Sequence, residues 1–449
     1  MQRRSPAVLG LVTLTALVVG NMIGAGVFTT SGFALADLGS PYRVLAAWVI
    51  GGLLALCGAL SYGSLAKLAP ESGGEYLYLS KTIHPAAGFV AGWVSLLAGF
   101  TGAIAYAALT FAAYAAPAAE RQGGAIAGNT VATAVIAVAV LLHALKMRQG
   151  AWVQNAAVGL KLTAMLVFCA YAYFGFGLSS WAGFAAVAGP EPPPFSIAAF
   201  ALTLMWISFS YSGFNAAVYL AGEVPSAADR VPRALLLGTA LTMLFYLLLN
   251  SVFVLLPPFD AVVGQEDVAA VAAGTVGGQG LAGLVRAIVA LALFTSVSAM
   301  IMVGPRVYAK MADDGLMPAF LRFEGETPTT AVLAQGVLAI LVVWIAGLQQ
   351  LLSYLGFTLG LSTAATVASL FVAVRRSPAV AHRLPGYPWA PIVFVAFTLL
   401  FAALAATLNP WEMVAAAATI GSGGLLYLLV RRLHLRRLRA GAQAPSPGR

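Results

Sequence analysis

Charge is scarce in this sequence. Asp, Glu, Lys and Arg make up 9% of the 449 residues and 61% are hydrophobic, whereas about a quarter of a soluble domain is charged. Cysteine is nearly absent too, because Cys57 and Cys169 are the chain's two cysteines and both lie inside apolar runs. The first shortage excludes a soluble globular protein, and the second argues against a disulfide framework.

Catalytic and metal-binding patterns are also missing. Four histidines fall in or near predicted cytoplasmic loops without metal-ligand spacing: His84, His143, His382 and His434. Glu71 and Glu75 are expected to shape an inner loop, and Asp313 and Asp314 to end a helix. No Ser, His and Asp set converges at one depth, so the sequence predicts no enzyme and neither a bound metal nor a cofactor.

Long apolar runs dominate the chain instead. They exceed the roughly 20 residues that a membrane helix needs and are too continuous for barrel strands. The sequence therefore predicts an all-α polytopic membrane protein. Its twelve predicted transmembrane helices are 8–35, 42–66, 85–115, 127–145, 151–176, 196–222, 232–256, 281–309, 329–347, 350–374, 388–407 and 410–432. The polar, glycine-rich residues 256–280 are predicted as an external loop.

Basic residues predict the orientation. With both termini in the cytoplasm, all but four of the 24 Lys and Arg residues fall inside, in agreement with the positive-inside rule. The exceptions are Arg43, Arg121 and Arg286, which are external, and Lys161, within the fifth span. Arg3 and Arg4 precede an apolar run too long for a cleaved leader, so that run is kept as the first span.

The net charge of +9 could indicate a nucleic-acid partner. The basic run at 431–439 is better interpreted as an anchor on anionic lipid, so we expect a lipid bilayer and no nucleic acid. Residues 440–449 are predicted to form a short disordered cytoplasmic tail. The Ala-, Arg- and Gly-rich composition favours a bacterial source, hence a multi-pass protein of the inner membrane.

Two predicted spans carry small and polar residues at mid-depth. The first contains GNMIGAGVF at residues 20–28, and the sixth contains WISFSYSGFN at residues 206–215. Gly20 and Gly24 alone would fit a helix-packing face of small residues, but that interpretation leaves the second interruption unexplained. Interruptions at corresponding positions of two halves indicate inverted repeats with a binding site between them.

A broken membrane helix frees backbone groups that must line a cavity. The N-terminus of the following half-helix offers N–H groups to a carboxylate. Carbonyls at the end of the preceding half-helix suit an ammonium group. An α-amino acid satisfies both, so the two breaks predict an amino acid substrate.

Several segments together carry a resemblance to a known family, in chain order GNMIGAGVF, ESGGEYLYLSK, SYSGFNAAVYLAGEVPSAADRVPRAL, GPRVYAKMADDGLMP, YLGFTLGLSTAATVASLFVAVRR and HRLPGYPWAP. They resemble the amino acid–polyamine–organocation (APC) superfamily, especially bacterial relatives of the L-type amino acid transporters. The resemblance implies the leucine-transporter (LeuT) fold: a 5+5 inverted repeat with discontinuous helices 1 and 6, plus two peripheral helices. The implied single transporter domain covers 1–439, with repeats at about 8–176 and 196–374 and peripheral helices at about 388–432.

The resemblance also implies a substrate site at the two breaks. The family binds the substrate carboxylate on a Gly-Ser-Gly turn, which is Gly24-Ala25-Gly26 here, with alanine in place of serine. The implied binding residues are Met22, Ile23, Gly24, Ala25, Gly26, Phe209, Ser212, Gly213 and Asn215. The carbonyls of Met22, Phe209 and Ser212 match acceptors of the substrate amino group, and Phe209 matches the aromatic that closes over it. Asn215 replaces a glutamate of arginine exchangers, so the resemblance implies neutral substrates.

Lys161 has no carboxylate at comparable depth. A buried lysine must then be neutral or use carbonyls and hydroxyls as partners. In related members a lysine here occupies the site of a sodium ion, with expected neighbours at the carbonyls of Val19–Asn21 and at Ser296. Its ammonium would make transport sodium-independent, or its titration would couple protons. Snorkelling is disfavoured, because the inner end of the span is about ten residues, roughly 15 Å, away.

Four side chains have open roles. Trp206, Tyr211 and Phe214 either pack in the core or contact substrate, and Met300 is a candidate for the side-chain pocket.

The sequence thus predicts sodium-independent secondary transport of small neutral L-amino acids by alternating access, preferably as exchange. The alternatives are a proton-coupled symporter and a transporter-like sensor without net flux. The predicted outer loops contain no cysteine, so no disulfide-linked heavy chain of the animal L-type kind is expected. The chain is predicted to be a monomer or a homodimer.

Overall fold

The computed structural model describes residues 10–144, 151–175, 193–313, 315, 317–322 and 328–442. Helices account for the regular structure in these ranges. They are α1 (Leu11–Met22), α2 (Gly26–Leu38), α3 (Pro41–Leu68), α4 (Gly74–Thr82), α5 (Pro85–Ala115), α6 (Pro117–Ala144), α7 (Ala151–Ala170), α8 (Ile197–Ser210), α9 (Ala227–Leu255), α10 (Phe259–Val262), α11 (Val268–Asp313), α12 (Thr329–Ile345), α13 (Leu348–Arg376), α14 (Trp389–Ala405) and α15 (Pro410–Ala442).

The described residues also form 3₁₀ helices and π-helical turns. Three 3₁₀ helices span Ala216–Glu223, Ala319–Leu321 and Pro378–Arg383, and π-helical turns occur at Ser95–Gly102 inside α5 and at Tyr171–Gly175 after α7.

Membrane-spanning character follows the predicted segments closely. Seven described helices are long and apolar enough to cross a bilayer, and α1 and α2 together make an eighth candidate, bent by 44°. Four shorter apolar helices are Gly159–Phe174, Ile197–Ser210, Thr329–Ile345 and Trp389–Ala405. The protein is therefore a polytopic all-α membrane protein in its described part, while the count of twelve spans stays a prediction.

The predicted external loop has a structure of its own. It contains α10 and the start of α11, which bends at Gly278, where φ is +69°. The Gly264 N–H donates to the Gly32 carbonyl of α2 at 2.9 Å. A Cβ on Gly32 would lie 2.9 Å from the Gln265 carbonyl carbon, so this loop lies directly on α2.

Helices α2, α3, α8 and α9 are joined by buried polar side chains. Trp48 Nε1 donates to Ser31 Oγ at 2.9 Å, and Ser31 in turn donates to Asn250 Oδ1. Thr30 and Ser210 share a hydrogen bond of 3.0 Å. Because these side chains are buried and paired, they fix the mutual positions of the helices that carry the two interruptions.

Aromatic rings support the same region. Trp48, Tyr211 and Tyr246 pack with ring centroids 5.1–5.7 Å apart. Close helix approach is also visible at Gly238 of α9, where a Cβ would lie 2.6 Å from Val18 Cγ1 of α1. Small residues permit such approach between membrane helices.

Two of the histidines form hydrogen bonds that hold helices in place. His84 accepts from the Ala86 N–H at 3.0 Å and so caps the start of α5. His143, predicted in or near a cytoplasmic loop, lies in α6, is 9% exposed and shares a 2.9 Å hydrogen bond with Ser298 of α11. It therefore joins α6 to α11.

Some predicted features lie outside the described residues. These are Arg3, Arg4, Lys146, Arg148, Asp314 and residues 443–449. Helix α15 continues to Ala442, three residues into the predicted disordered tail.

Candidate functional site

The first interruption is a three-residue turn between α1 and α2. Helix α1 ends at Met22, Ile23 leaves helical geometry with ψ of 86°, and α2 begins at Gly26. The Gly24 N–H donates back to the Met22 carbonyl at 2.9 Å. In the predicted carboxylate-binding turn Gly24-Ala25-Gly26, the Gly24 N–H therefore already has an acceptor. The N–H groups at the start of α2 remain without intrahelical acceptors.

The second interruption follows α8, which ends at Ser210. Gly213 has φ of +96°, a left-handed conformation that favours glycine. The Ser212 N–H donates to the Phe209 carbonyl at 2.9 Å, and the Ala216 N–H donates to the Gly213 carbonyl at 3.0 Å. Of the two predicted acceptors for a substrate amino group in this segment, the Phe209 carbonyl therefore already has one partner.

The two interruptions contact each other. A Cβ on Gly26 would lie 2.9 Å from Ser210 Cα, at the end of α8. A Cβ on Gly213 would lie 2.9 Å from Asn21 Nδ2 and 3.0 Å from the Asn21 carbonyl oxygen, at the end of α1. Each break thus uses a glycine to admit the backbone of the other, and the structure brings together the two segments that the sequence singles out.

Tyr246 of α9 bridges the two breaks. Its hydroxyl lies 2.6 Å from the Met22 carbonyl and 3.0 Å from the Ser210 carbonyl, so it donates to the last residue of both half-helices. Its side chain is fully buried. Sequence reasoning missed this residue, because one tyrosine in an apolar span carries no signal of its partners.

Lys161 of α7 reaches the first break. It is 6% exposed, and its Nζ donates to the Ile23 carbonyl. The expected neighbours were carbonyls near Val19–Asn21, and the carbonyl that Lys161 contacts is that of Ile23, directly after the end of α1. Ser296 is half-buried on α11, and among the described residues it forms no hydrogen bond with Lys161, so that pairing stays a prediction.

An aromatic contact lies beside the second break. The Phe209 and Tyr106 rings meet edge to face with centroids 5.3 Å apart. The Tyr106 hydroxyl hydrogen-bonds Thr29 of α2. The predicted closing aromatic is therefore tied, through Tyr106, to the half-helix after the first break.

A small cavity of about 40 Å³ borders the second break. Phe209, Ser212 and Phe214 contribute to its wall, together with residues of α3, α13 and α14. None of its lining residues belongs to α1 or α2. This cavity is large enough to hold water, and its described wall comes from the second break without the first.

The neighbouring aromatic side chains are held in the core. Trp206 Nε1 donates to Ser353 Oγ at 2.8 Å, the Tyr211 hydroxyl donates to the Trp48 carbonyl at 3.2 Å, and Phe214 packs on Tyr62 with centroids 5.4 Å apart. These contacts favour a packing role for all three. Met300 is half-buried on α11.

Asn215 is hydrogen-bonded to Glu75, an acidic residue that was predicted only to shape an inner loop. Its Nδ2 donates to Glu75 Oε1. Glu75 lies in the first turn of α4 and is 8% exposed, so it is part of the protein interior rather than of a solvated loop. The preceding Gly73 and Gly74 both have positive φ, which turns the chain so that α4 can dock there.

Similarity to known proteins shows which family this chain belongs to. A sequence profile described as amino acid permease matches residues 9–425. The chain belongs to the amino acid permease family. The predicted APC superfamily membership is confirmed, and this permease is a membrane transporter of amino acids, not an enzyme.

Three relatives show how far the similarity extends. The permease is 27% identical over 413 residues to the human "Large neutral amino acids transporter small subunit 2", covering 88% of this chain and 75% of the relative. It is 25% identical over 408 residues to the mouse "Asc-type amino acid transporter 1", covering 87% and 74%. It is 25% identical over 436 residues to the mouse "b(0,+)-type amino acid transporter 1", covering 94% and 87%.

We expect Gly26→Ala to destabilise the permease, because the new Cβ meets backbone at Ser210. Overpacking of this kind costs about 1–3 kcal/mol, and thermal unfolding of the purified protein in detergent measures it. Gly24→Ala is the matched control in the same turn, since its nearest atom outside adjacent residues is the Met22 carbonyl at 3.9 Å. Equal melting temperatures for the two variants would contradict the close contact between the breaks.

Tyr246→Phe is expected to lower stability by about 1–3 kcal/mol, because the lost donor leaves carbonyls at two helix ends without it. Tyr211→Phe provides the comparison, since its hydroxyl bonds a single carbonyl, that of Trp48, in a continuous helix. Melting curves should rank Tyr246→Phe well below Tyr211→Phe, and the reverse order would refute the bridging role.

Proposed function

We propose that the permease performs sodium-independent secondary transport of small neutral L-amino acids, by exchange and with alternating access. Support comes from the contact between the two helix breaks. Free N–H groups at the start of α2 suit a carboxylate, and carbonyls at the ends of α1 and α8 suit an ammonium group. A zwitterion is the chemical class that uses both.

The observation that carries sodium independence is the contact between Lys161 and the Ile23 carbonyl. A break in a membrane helix presents carbonyl oxygens that a cation can neutralise. Here the side chain of α7 supplies that cation from within the protein. A sodium ion would then have no role at this position.

The proposed substrate contacts follow the two breaks. Ala25 and Gly26 bind the carboxylate through backbone N–H groups, and the Ser212 carbonyl accepts from the amino group. The Met22 carbonyl joins it once the Tyr246 hydroxyl no longer donates to it. Phe209 closes over the substrate. We propose small neutral side chains, because the Tyr106 ring packs directly against Phe209.

The proposed topology has twelve spans in a bacterial inner membrane, with both termini on the cytoplasmic side. Residues 8–176 and 196–374 form the inverted repeats, and 388–432 the peripheral helices. The distribution of Lys and Arg supports this orientation. We also propose a monomer or homodimer without a disulfide-linked partner, because Cys57 lies within α3 and Cys169 within α7 rather than in a predicted outer loop.

Proton-coupled symport is the second candidate. It is favoured by the burial of Lys161, since neither ion pair in the described part of the chain includes this residue. A buried amine without a carboxylate can exchange its proton during a transport cycle.

Reconstitution in liposomes tests the proposal. Uptake of radiolabelled L-alanine should rise sharply when the vesicles contain unlabelled alanine, and it should not change when sodium replaces choline outside. Uptake driven by an imposed pH gradient into empty vesicles would select the symporter instead. Strict dependence on a sodium gradient would refute the role of Lys161, and no uptake or exchange of any of the twenty amino acids would refute the substrate class.

Lys161→Ala should fold but lose most of its exchange activity, or show altered affinities on the two membrane faces, because the break loses its cation. The kinetics are measured with substrate added to either side of oriented vesicles. Lys81→Ala is the control, since Lys81 is an exposed lysine paired with Glu71. Wild-type kinetics of Lys161→Ala on both faces would contradict its assigned function.

A further inference from the structure

The Glu75 carboxylate is buried among neutral donors. Tyr62 of α3 donates its hydroxyl to Oε1 at 2.9 Å. Asn215 donates its amide to the same oxygen, and Tyr219 of the 3₁₀ helix donates its hydroxyl to Oε2. Neither of the ion pairs in the described ranges involves Glu75. Hydrogen bonds, and the N-terminus of α4 on which it lies, therefore stabilise this negative charge.

The same contact fixes the carboxamide of Asn215. An ionised carboxylate can only accept hydrogen bonds, so the group that faces it must be the NH₂ of Asn215. The oxygen and nitrogen of a carboxamide point in different directions from one carbon atom. Oδ1 of Asn215 is therefore turned away from Glu75, and an acceptor is what this side chain offers to any other partner.

The orientation of the Asn215 carboxamide matters because of where this residue lies. It lies in the link between α8 and the 3₁₀ helix, two residues after Gly213, which packs on Asn21 of the first break. The negative charge of Glu75 lies on α4 and contacts this link through the Asn215 side chain. The Asn215 side chain itself is neutral, and its Oδ1 is a hydrogen-bond acceptor.

We propose that Glu75 is a positioning residue that sets the side-chain selectivity of the permease through Asn215. This inference rests on the proposed function. An Oδ1 held away from Glu75 can accept a hydrogen bond from the substrate, which favours side chains that donate one, such as serine, over apolar side chains of the same size. Keeping the negative charge on α4 leaves a cationic side chain without a direct partner.

The surrounding loop is built to keep Glu75 in place. Gly74 has φ of +54°, and a Cβ there would lie 2.9 Å from Tyr219 Cδ1. The Gly222 N–H donates to Ser72 Oγ at 2.9 Å. The loop before α4 thus docks on the 3₁₀ helix at two further points, so the carboxylate and the carboxamide belong to one rigid contact.

The experiment compares substrate selectivity among variants in the liposome exchange assay. Labelled L-alanine is competed with serine, with α-aminobutyrate and with lysine. The variants are Glu75→Gln, Asn215→Asp and the double variant E75Q/N215D. Tyr78→Phe is the matched control, because the Tyr78 hydroxyl lies in the same buried cluster, with its ring 6.2 Å from that of Tyr62, and makes no hydrogen bond within the described part of the chain.

Each variant has an expected result. Glu75→Gln should reduce the preference for serine over α-aminobutyrate several-fold, up to about tenfold, because a carboxamide at position 75 can face Asn215 with either end. Asn215→Asp should lose exchange, since two carboxylates then meet. In the double variant a carboxylate again faces a carboxamide, but the negative charge now lies at position 215. This variant should regain alanine exchange, and lysine should now compete with that exchange. Tyr78→Phe should keep the wild-type preference.

Two results would overturn the inference. One is a lower exchange rate of Glu75→Gln with an unchanged preference for serine, which indicates a structural role alone. The other is a double variant no more active than Asn215→Asp.

Thermal unfolding in detergent keeps the inference testable if single variants are too unstable to assay. A paired contact predicts that E75Q/N215D melts above Asn215→Asp, and a lower melting temperature would refute the pairing. A wild-type protein that transports no amino acid would instead overturn the proposed function, and the melting order of the variants would still decide whether residues 75 and 215 act together.

Discussion

Backbone groups that lose their helical partners inside a membrane must find other partners, and most of this structure depends on that requirement. An unpaired polar group in lipid costs several kcal/mol. The chain interrupts its helices after Met22 and after Ser210 and still places both interruptions in the protein interior. It does so because α9 brings Tyr246 to the Met22 and Ser210 carbonyls, and α7 brings Lys161 to the Ile23 carbonyl. These hydrogen bonds to the interrupted helices therefore hold together helices that are far apart in sequence.

Close approach is the second condition. Gly26 admits Ser210, and Gly213 admits Asn21. Any side chain larger than hydrogen at either glycine would push the breaks apart and uncover the carbonyls that Tyr246 serves. The glycines therefore weaken each helix locally and strengthen the contact between them, which explains their place at the two interruptions.

Much of this organisation could be predicted from the sequence, because its signals are local. Small and polar residues inside apolar runs predict breaks near Gly24 and Gly213, and the helices end at Met22 and Ser210, two to three residues away. The partners could not be predicted in the same way. Tyr246 meets Met22 across 224 positions, and Glu75 meets Asn215 across 140. Pairing at such separations depends on tertiary packing, which no periodicity encodes.

The hydroxyl of Tyr246 has a single proton for two acceptors. While α1 and α8 end side by side, that proton is shared between Met22 and Ser210. Once the two helix ends move apart by more than the reach of a hydrogen bond, about 3.2 Å, it must stay with one and abandon the other. The hydroxyl can therefore serve both helix ends only while they lie side by side, so any separation of the two ends costs one of the two hydrogen bonds.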